Sequence, residues 1–357
     1  MKFPTAIFTN KTADRTADKH TKGNTMNTAK ISRRRFIGIA AAVAGAAALP
    51  AVLKERTIEP LVWRGIALGA DAELRLYHPD RSFAQAVLGK VLGETERLEK
   101  IFSLYRDDSQ LVRLNTQGSL KAPAFEMLDV LSRSRRLHAI TNGTFDPTIQ
   151  PLWAAYAEHF GRQPESESAP AGLERVLERV GLQYVEADNA NIRFAKPGMA
   201  LSFNGIAQGY ITDRITAMLQ DEGMPQALVD MGEIRTLDRT GQERIWRAGV
   251  RNPQNEKNIL FDIPLAHGQA LATSGGYGTY LDKQGRYTHL FDPHTGSNRP
   301  NYRSVSVRTT AGAAEADALS TAFSVMPREH IISALRQSAG SEAWLVAGSG
   351  QVERLAG

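Results

Sequence analysis

The stretch Ala313–Phe323, AAEADALSTAF, decides how this chain is read. Alanine, leucine and glutamate are strong helix formers, so the run predicts a helix. Asp317 and Thr321, four apart, then project from one face about one turn from each other. Two oxygen donors at that spacing suit a single hard cation such as magnesium, which keeps open positions for phosphate oxygens. Ala314, Ala316, Ala318 and Ala322 would leave room for something large to approach the helix. The same spacing equally suits a polar stripe that is solvated or hydrogen-bonded within its own helix.

Outward from this helix the pattern separates into clusters. Downstream, a helix over Arg328–Gln337 precedes a strand at Ala343–Ala347. Upstream, Ala227–Met231, Trp246–Val250, Leu260–Ile263, Tyr287–Phe291 and Ser304–Arg308 read as strands. The first half begins with Leu61–Tyr77, one or two strands broken at Gly65–Gly69. Ser82 followed by Gln85 reads as a capping box, and Val87, Val91, Leu98 and Phe102 keep helical spacing, weakened by Gly89 and Gly93. Ser103–Asn115 is a polar loop. A second helix starts near Pro123, buries Phe125, Leu128 and Leu131, and stops at Asn142-Gly143. Thr144–Pro151 is an extended, proline-punctuated turn, and Gly161–Ala171 an exposed linker that is the best candidate for an internal boundary. A short helix over Ala171–Val180 and a hairpin over Tyr184–Phe194 follow. Leu201–Gly205 then enters, as a strand, a helix running from Ile206 to Leu219. With no repeats and with helices and strands grouped rather than alternating, the fold class is α+β.

The formal charge of +5 would suggest an anionic partner if it were spread over the chain. It is not: residues 1–35 carry nine Lys/Arg against two Asp, leaving 34 basic against 36 acidic residues in the remainder. A nucleic-acid reading thereby loses its main support. Ser32-Arg33-Arg34-Arg35-Phe36-Ile37 followed by the Ala/Gly-rich run Ile37–Leu49 has the form of a twin-arginine export signal, too short and weakly apolar to span a bilayer. Ala46, Ala48 and Ala51 offer a signal peptidase two equivalent registers, and Met26 is a candidate initiator. Residues 1–51 are therefore expected to be an extension and leader, and 52–357 the folded domain, exported to the periplasm. The absence of cysteine excludes disulfides, thiolate metal sites, a cysteine nucleophile and a lipoprotein anchor.

Three more stretches bear chemistry. Leu201–Tyr210, LSFNGIAQGY, turns at Asn204-Gly205 with Gly209 close behind, so backbone groups can face a phosphate or metal; strand-to-helix turns of this kind are also common without a ligand. Ala270–Tyr280, ALATSGGYGTY, sets the Thr273 and Ser274 hydroxyls before a glycine pair and two tyrosines, either a phosphate or ring-binding loop or a hairpin turn. In Thr288–Gly296, THLFDPHTG, His289 stands before an Asp292-Pro293 turn, placed to act as a base on an incoming hydroxyl or simply exposed.

In order, the blocks SLYRDDSQLVRLN, GTFDPTIQPLW, FNGIAQGY, LATSGGYGTY, HLFDPHTG and EADALSTAF resemble the signature blocks of the ApbE-type FAD:protein FMN transferases, over about Leu61 to Met326. The resemblance implies a T-fold-like architecture of mixed or antiparallel sheets with packed helices and a nucleotide cleft between two lobes. It implies a periplasmic enzyme, monomer or homodimer, that splits FAD, releases AMP and attaches FMN to a Thr or Ser hydroxyl of a membrane-linked flavoprotein. Magnesium would be held by Asp317, Thr321 and the main-chain carbonyl of Gly205. Tyr105 would line the flavin, Thr144, Phe145 and Asp146 the adenosine side, and Leu290 the ring, with His289 the base; Leu68, Ser202, Gln208 and Ser274 fall at further FAD-contacting positions. Ser202 and Gln208 depart from the family's usual aspartate and lysine, and Leu68 and Ala70 from its methionine and threonine. The leader and FNGIAQGY are similar to the NosX branch, which implies a NosR-like acceptor in nitrous-oxide reduction. A flavin-binding carrier and a structural accessory of a respiratory complex are the alternatives.

Overall fold

Strands Leu61–Ala67 and Ala70–Tyr77 form an antiparallel hairpin, so the expected break shrinks to the two residues Leu68-Gly69. Both have positive φ, 46° and 82°, as a tight turn matching strand twist requires. Leucine adopts that conformation reluctantly, and here its amide donates to Glu99 Oε1 at 2.8 Å. The structure, a computed structural model, describes residues 40–41, 58–241 and 245–357, all within one compact unit. The twin-arginine pair and the alanines of the expected cleavage site lie outside the described residues.

In chain order the strands are β1 (Ala40–Ala41), β2 (Leu61–Ala67), β3 (Ala70–Tyr77), β4 (Ser119–Lys121), β5 (Val185–Ala187), β6 (Asn191–Phe194), β7 (Gln226–Asp230), β8 (Ile234–Asp238), β9 (Trp246–Asn252), β10 (Asn255–Leu265), β11 (Ala270–Ser274), β12 (Ser304–Thr309), β13 (Glu342–Val346) and β14 (Val352–Ala356). The helices are α1 (Arg81–Phe102), α2 (Gln110–Gln117), α3 (Phe125–Ile140), α4 (Gln150–Arg162), α5 (Leu173–Leu177), α6 (Ala207–Asp221), α7 (Ala313–Phe323) and α8 (Arg328–Gln337). Eight strands make one antiparallel sheet in the order β14-β13-β12-β11-β8-β7-β3-β2; β1-β9-β10 and β4-β6-β5 form two small antiparallel sheets. The fold is thus α+β with antiparallel sheets and packed helices.

Period-2 alternation sorts the large sheet's side chains to its two faces. Leu74, Leu76, Ala227, Val229 and Ala272 join the main core with residues of α1, α3, α6 and α7, whereas Tyr77, Leu228 and Leu271 pack with Trp246, Val250 and Ile263 of the β9–β10 hairpin. α7 is buried on nearly every side, and Thr321 is its only residue that is not.

Several expectations are corrected. Asp80, not Ser82, caps α1, accepting from the amides of Ser82 and Phe83. The supposed polar loop 103–115 contains α2, capped by Ser109 and burying Leu111 and Leu114. Phe125 is 71% exposed at the start of α3, whose buried face is Met127, Val130, Leu131 and Leu137. The turn 144–151 is a one-turn 3₁₀ helix, Pro147–Ile149, running into α4. Residues 201–205 are not a strand, and 287–291 form only a single bridge, Tyr280 to Thr288. The proposed boundary at 161–171 separates nothing, because Tyr156 and Phe160 of α4 pack with Tyr287 and Phe291 from far along the chain. Ala270–Ser274 is a central strand, β11, and the loop begins only after it.

Candidate functional site

The site is built where α6 and α7 cross. A Cβ placed on Gly209 would lie 2.2 Å from the Ala313 carbonyl oxygen and 2.6 Å from the Ala314 nitrogen, so only glycine lets the two backbones meet. Ala314, Ala316, Ala318 and Ala322 are buried in the main core. The room expected beside the helix is therefore taken up by the protein's own α6 and sheet, not left for a ligand. α7 begins at Gly312, which has no side chain to cap it. Asp213 of α6 supplies the cap instead, accepting from the amides of Ala313 at 2.7 Å and Ala314 at 3.0 Å, and is itself paired with Arg235 at 2.5 Å.

Asp317, buried, accepts a hydrogen bond from the Gly209 amide at 3.1 Å. In a helix continued backward that amide would bond the Gly205 carbonyl. The α6 ladder instead starts with Tyr210 bonding Ile206, which leaves the Gly205 carbonyl outside it. Gly205 also abuts Thr321: a Cβ there would be 3.0 Å from Thr321 Oγ1. Ser274, at the end of β11, lies 3.3 Å from Thr321 Oγ1 and 2.8 Å from Ser320 Oγ. Three residues picked out in three separate motifs, Gly205, Ser274 and Thr321, thus meet at the one partly open residue of α7, one turn from Asp317.

The electrostatics are those of a site short of positive charge. Burial above all pushes the Asp317 carboxyl up to about 8, against the stabilising Gly209 amide and with the Asp213 charge adding to the rise. Sequence reading missed Glu233 beside it, and Asp230 beside Glu233. Glu233 is 6% exposed, and its Oε2 has no hydrogen-bond partner; burial, then the charges of Asp317 and Asp230, hold it well above the usual carboxylate range. Asp230 is pushed up to about 7, again mainly by burial, with the Gly232 amide opposing and Glu73 and Asp71 adding. The only signal for this pair was the short run Asp230-Met-Gly-Glu233 after a strand. None of the three carboxylates owes anything to a nearby lysine or arginine. Among the described residues no three His, Cys, Asp or Glu side chains group as a metal would need, so a cation here would rest on one carboxylate and neutral oxygens. Gln208 is buried with its amide against Gly232, at 2.9 Å from where a Cβ would sit.

His289 is half-buried, its Nδ1 3.3 Å from the Thr279 carbonyl; burial lowers its pKa, which that contact partly offsets. Leu290 beside it is buried. Ser202 donates its amide to the Pro147 carbonyl at 2.7 Å and accepts from the Asn204 amide. Asp146 commits both carboxylate oxygens to the protein: Oδ1 accepts from the Thr148 amide and hydroxyl at 2.8 and 2.6 Å, and Oδ2 from the Leu182 amide at 3.1 Å. It fixes the wall of a cavity of about 410 Å³ lined by His138, Asn142, Gly143, Gln183 and His294. Thr144, next in the chain after Gly143, donates its amide to the Thr141 carbonyl, and Phe145 is buried with its carbonyl 3.0 Å from His138 Nδ1. Tyr105 is 53% exposed after α1.

A buried carboxylate one helical turn from a hydroxyl that abuts a glycine turn, set in an antiparallel α+β fold, defines the class of protein. The chain belongs to the ApbE family, whose model matches residues 68–345. A Vibrio cholerae FAD:protein FMN transferase is 31% identical over 244 residues, 66% of this chain and 71% of that protein. Its Salmonella typhimurium counterpart is 29% identical over 285 residues, 77% and 78% of the two chains. Among solved structures, the ApbE protein of Thermotoga maritima superposes with a TM-score of 0.72 at 26% identity, covering 83% of this chain and 97% of that one. The apo flavinyl transferase ApbE of Pseudomonas stutzeri gives 0.70 at 25% identity, covering 84% and 96%.

Proposed function

We propose that this chain is a magnesium-dependent FAD:protein FMN transferase. The observation that carries the reading is that Thr321 abuts Gly205, 116 positions earlier in the chain, one helical turn from the buried carboxylate of Asp317. A buried carboxylate without a cationic partner, joined by a hydroxyl and an unladdered carbonyl, has the all-oxygen chemistry that magnesium prefers. Bound there, the ion would neutralise charge on the diphosphate of FAD. His289, kept neutral by burial, takes the proton of an acceptor Thr or Ser hydroxyl. The oxygen then forms its bond to the FMN phosphorus as the bridging P–O bond to AMP breaks, and AMP leaves. We assign the cavity beside Asp146 and Thr144 to the adenosine side, with Tyr105 and Leu290 toward the flavin.

The leader and FNGIAQGY favour the NosX-like branch, with residues 52–357 exported by the twin-arginine pathway and a periplasmic domain of a NosR-like membrane flavoprotein as acceptor. A FAD-binding carrier is the second reading, favoured by Ser202 and Gln208, neutral groups where the family usually has an acid and a base. The test incubates the protein with FAD, Mg²⁺ and a co-expressed acceptor domain and reads covalent flavin fluorescence in a denaturing gel. Labelling is expected from the wild type and none from Asp317→Ala; His289→Ala keeps FAD bound and slows transfer by roughly 10²–10⁴. FAD bound without transfer under any divalent cation would establish the carrier instead.

A further inference from the structure

A second cavity, of about 380 Å³, is lined by none of the residues assigned to FAD. Arg286, Arg299, Arg303, Tyr277, Tyr280 and Tyr302 line it, and no Asp or Glu does. The charges are poorly compensated. Arg286 has Asp282 at 3.5 Å and the exposed Glu167 at 3.9 Å. Arg299 donates to the Tyr287 hydroxyl at 3.0 Å and lies over that ring, and Arg303 donates to the Gly348 carbonyl at 3.0 Å. Arg299 and Arg303 therefore contact only neutral groups, with no carboxylate within ion-pair distance among the described residues. Two guanidinium groups held in place without a counter-charge, amid tyrosines, make a surface prepared for an anion.

Its position ties it to the chemistry. The loop from Gly275 to Arg303 forms most of the wall, and that loop leaves β11 at Ser274, which touches Thr321. A Cβ on Gly276 would stand 2.6 Å from Thr288, which lines the cavity, and His289 is the next residue. The wall of the cavity and the candidate base are thus one piece of chain. We propose that this arginine–tyrosine cavity docks an acidic segment of the flavin-accepting protein, adjacent to the hydroxyl that receives FMN; this rests on the transferase reading above. A polypeptide is favoured over a second nucleotide because the hydroxyl delivered to His289 is carried by a protein, so the surface flanking it has to accept protein. Arginine and tyrosine are also the side chains that most often dominate such contacts.

The experiment uses the full chain, its Arg299→Glu/Arg303→Glu variant and its Arg299→Gln/Arg303→Gln variant. The probe is a fluorescein-labelled peptide in which a threonine is flanked by Asp and Glu, compared with the same peptide carrying Asn and Gln. Fluorescence anisotropy is expected to show the acidic peptide binding at least about tenfold more tightly than the amide peptide at low salt, the difference shrinking as salt is raised. Charge reversal abolishes the preference and the Gln variant reduces it, while FAD binding by both variants stays within about twofold of wild type, which excludes misfolding. Equal affinity for the two peptides, or a preference untouched by charge reversal, would overturn the proposal. So would displacement of the acidic peptide by AMP or inorganic phosphate at lower concentration than by unlabelled peptide, which would make the cavity a phosphate site. Peptide binding needs no flavin transfer, so a wild type that binds the acidic peptide but labels no acceptor would count against the transferase reading alone.

Discussion

Substituting alanine for glycine should have opposite signs at two helical positions of this protein. Gly89 lies in the exposed part of α1 with nothing within 4 Å of an added Cβ, so Gly89→Ala is expected to stabilise by about 0.5–1 kcal/mol through helix propensity. At Gly209 the same propensity gain meets backbone. The added carbon would lie 2.2 Å from the Ala313 carbonyl oxygen and 2.4 Å from its carbon, about 1 Å inside ordinary contact. Backbone in two packed helices cannot swing aside as a side-chain tip can, so α6 and α7 must separate. Overpacking of this kind costs about 1–3 kcal/mol, and a backbone-on-backbone clash belongs at the upper end. Subtracting the propensity gain leaves a net loss of about 2 kcal/mol. Separation also stretches the Gly209 amide to Asp317 bond, so Gly209→Ala should weaken divalent-cation dependence of FAD cleavage as well as stability. Urea unfolding followed by circular dichroism reads the first effect, and a Mg²⁺ titration of activity the second. If Gly209→Ala unfolds at the wild-type midpoint with the wild-type metal requirement, the helix crossing does not position Asp317 as argued.

Two other perturbations follow from the same geometry. Asp213→Ala removes the borrowed cap of α7 and leaves Arg235 without its carboxylate; a loss of about 1–2 kcal/mol in urea unfolding is expected, and wild-type stability would show that the cap contributes nothing. Burial lowers the pKa of His289 below its ordinary 6.5, so the neutral, proton-accepting form persists as pH falls. The transfer rate should hold its plateau through pH 6.5 and decline only below it, and a pH–rate profile with its acid limb at or above 6.5 would contradict the assignment.

Much of the fold was legible because it is written in local periodicity. The helix Arg328–Gln337 and the strand Ser304–Thr309 follow directly from spacing of apolar residues. α2 was hidden because a short polar stretch buries only Leu111 and Leu114, and β11 because its Ala-Thr-Ser composition carries little strand signal. Phe125 misled because an aromatic at a helix start looks buried to any sequence pattern, yet the first turn of α3 points it to solvent.

For the site, the chemistry on offer is readable from local order alone: Asp317 and Thr321 one turn apart, glycines at 205 and 209, and a histidine beside a turn, because residue types and helical spacing are local properties. The folded chain alone decided which of these meet. It brought Gly205 against Thr321 and Ser274 against both hydroxyls of α7, filled the alanine face with the protein's own core, and set Glu233 beside Asp317. Those are contacts between segments as much as 116 residues apart. No local pattern encodes them, since they arise from where long-range strand pairing and a glycine-permitted helix crossing leave the backbone.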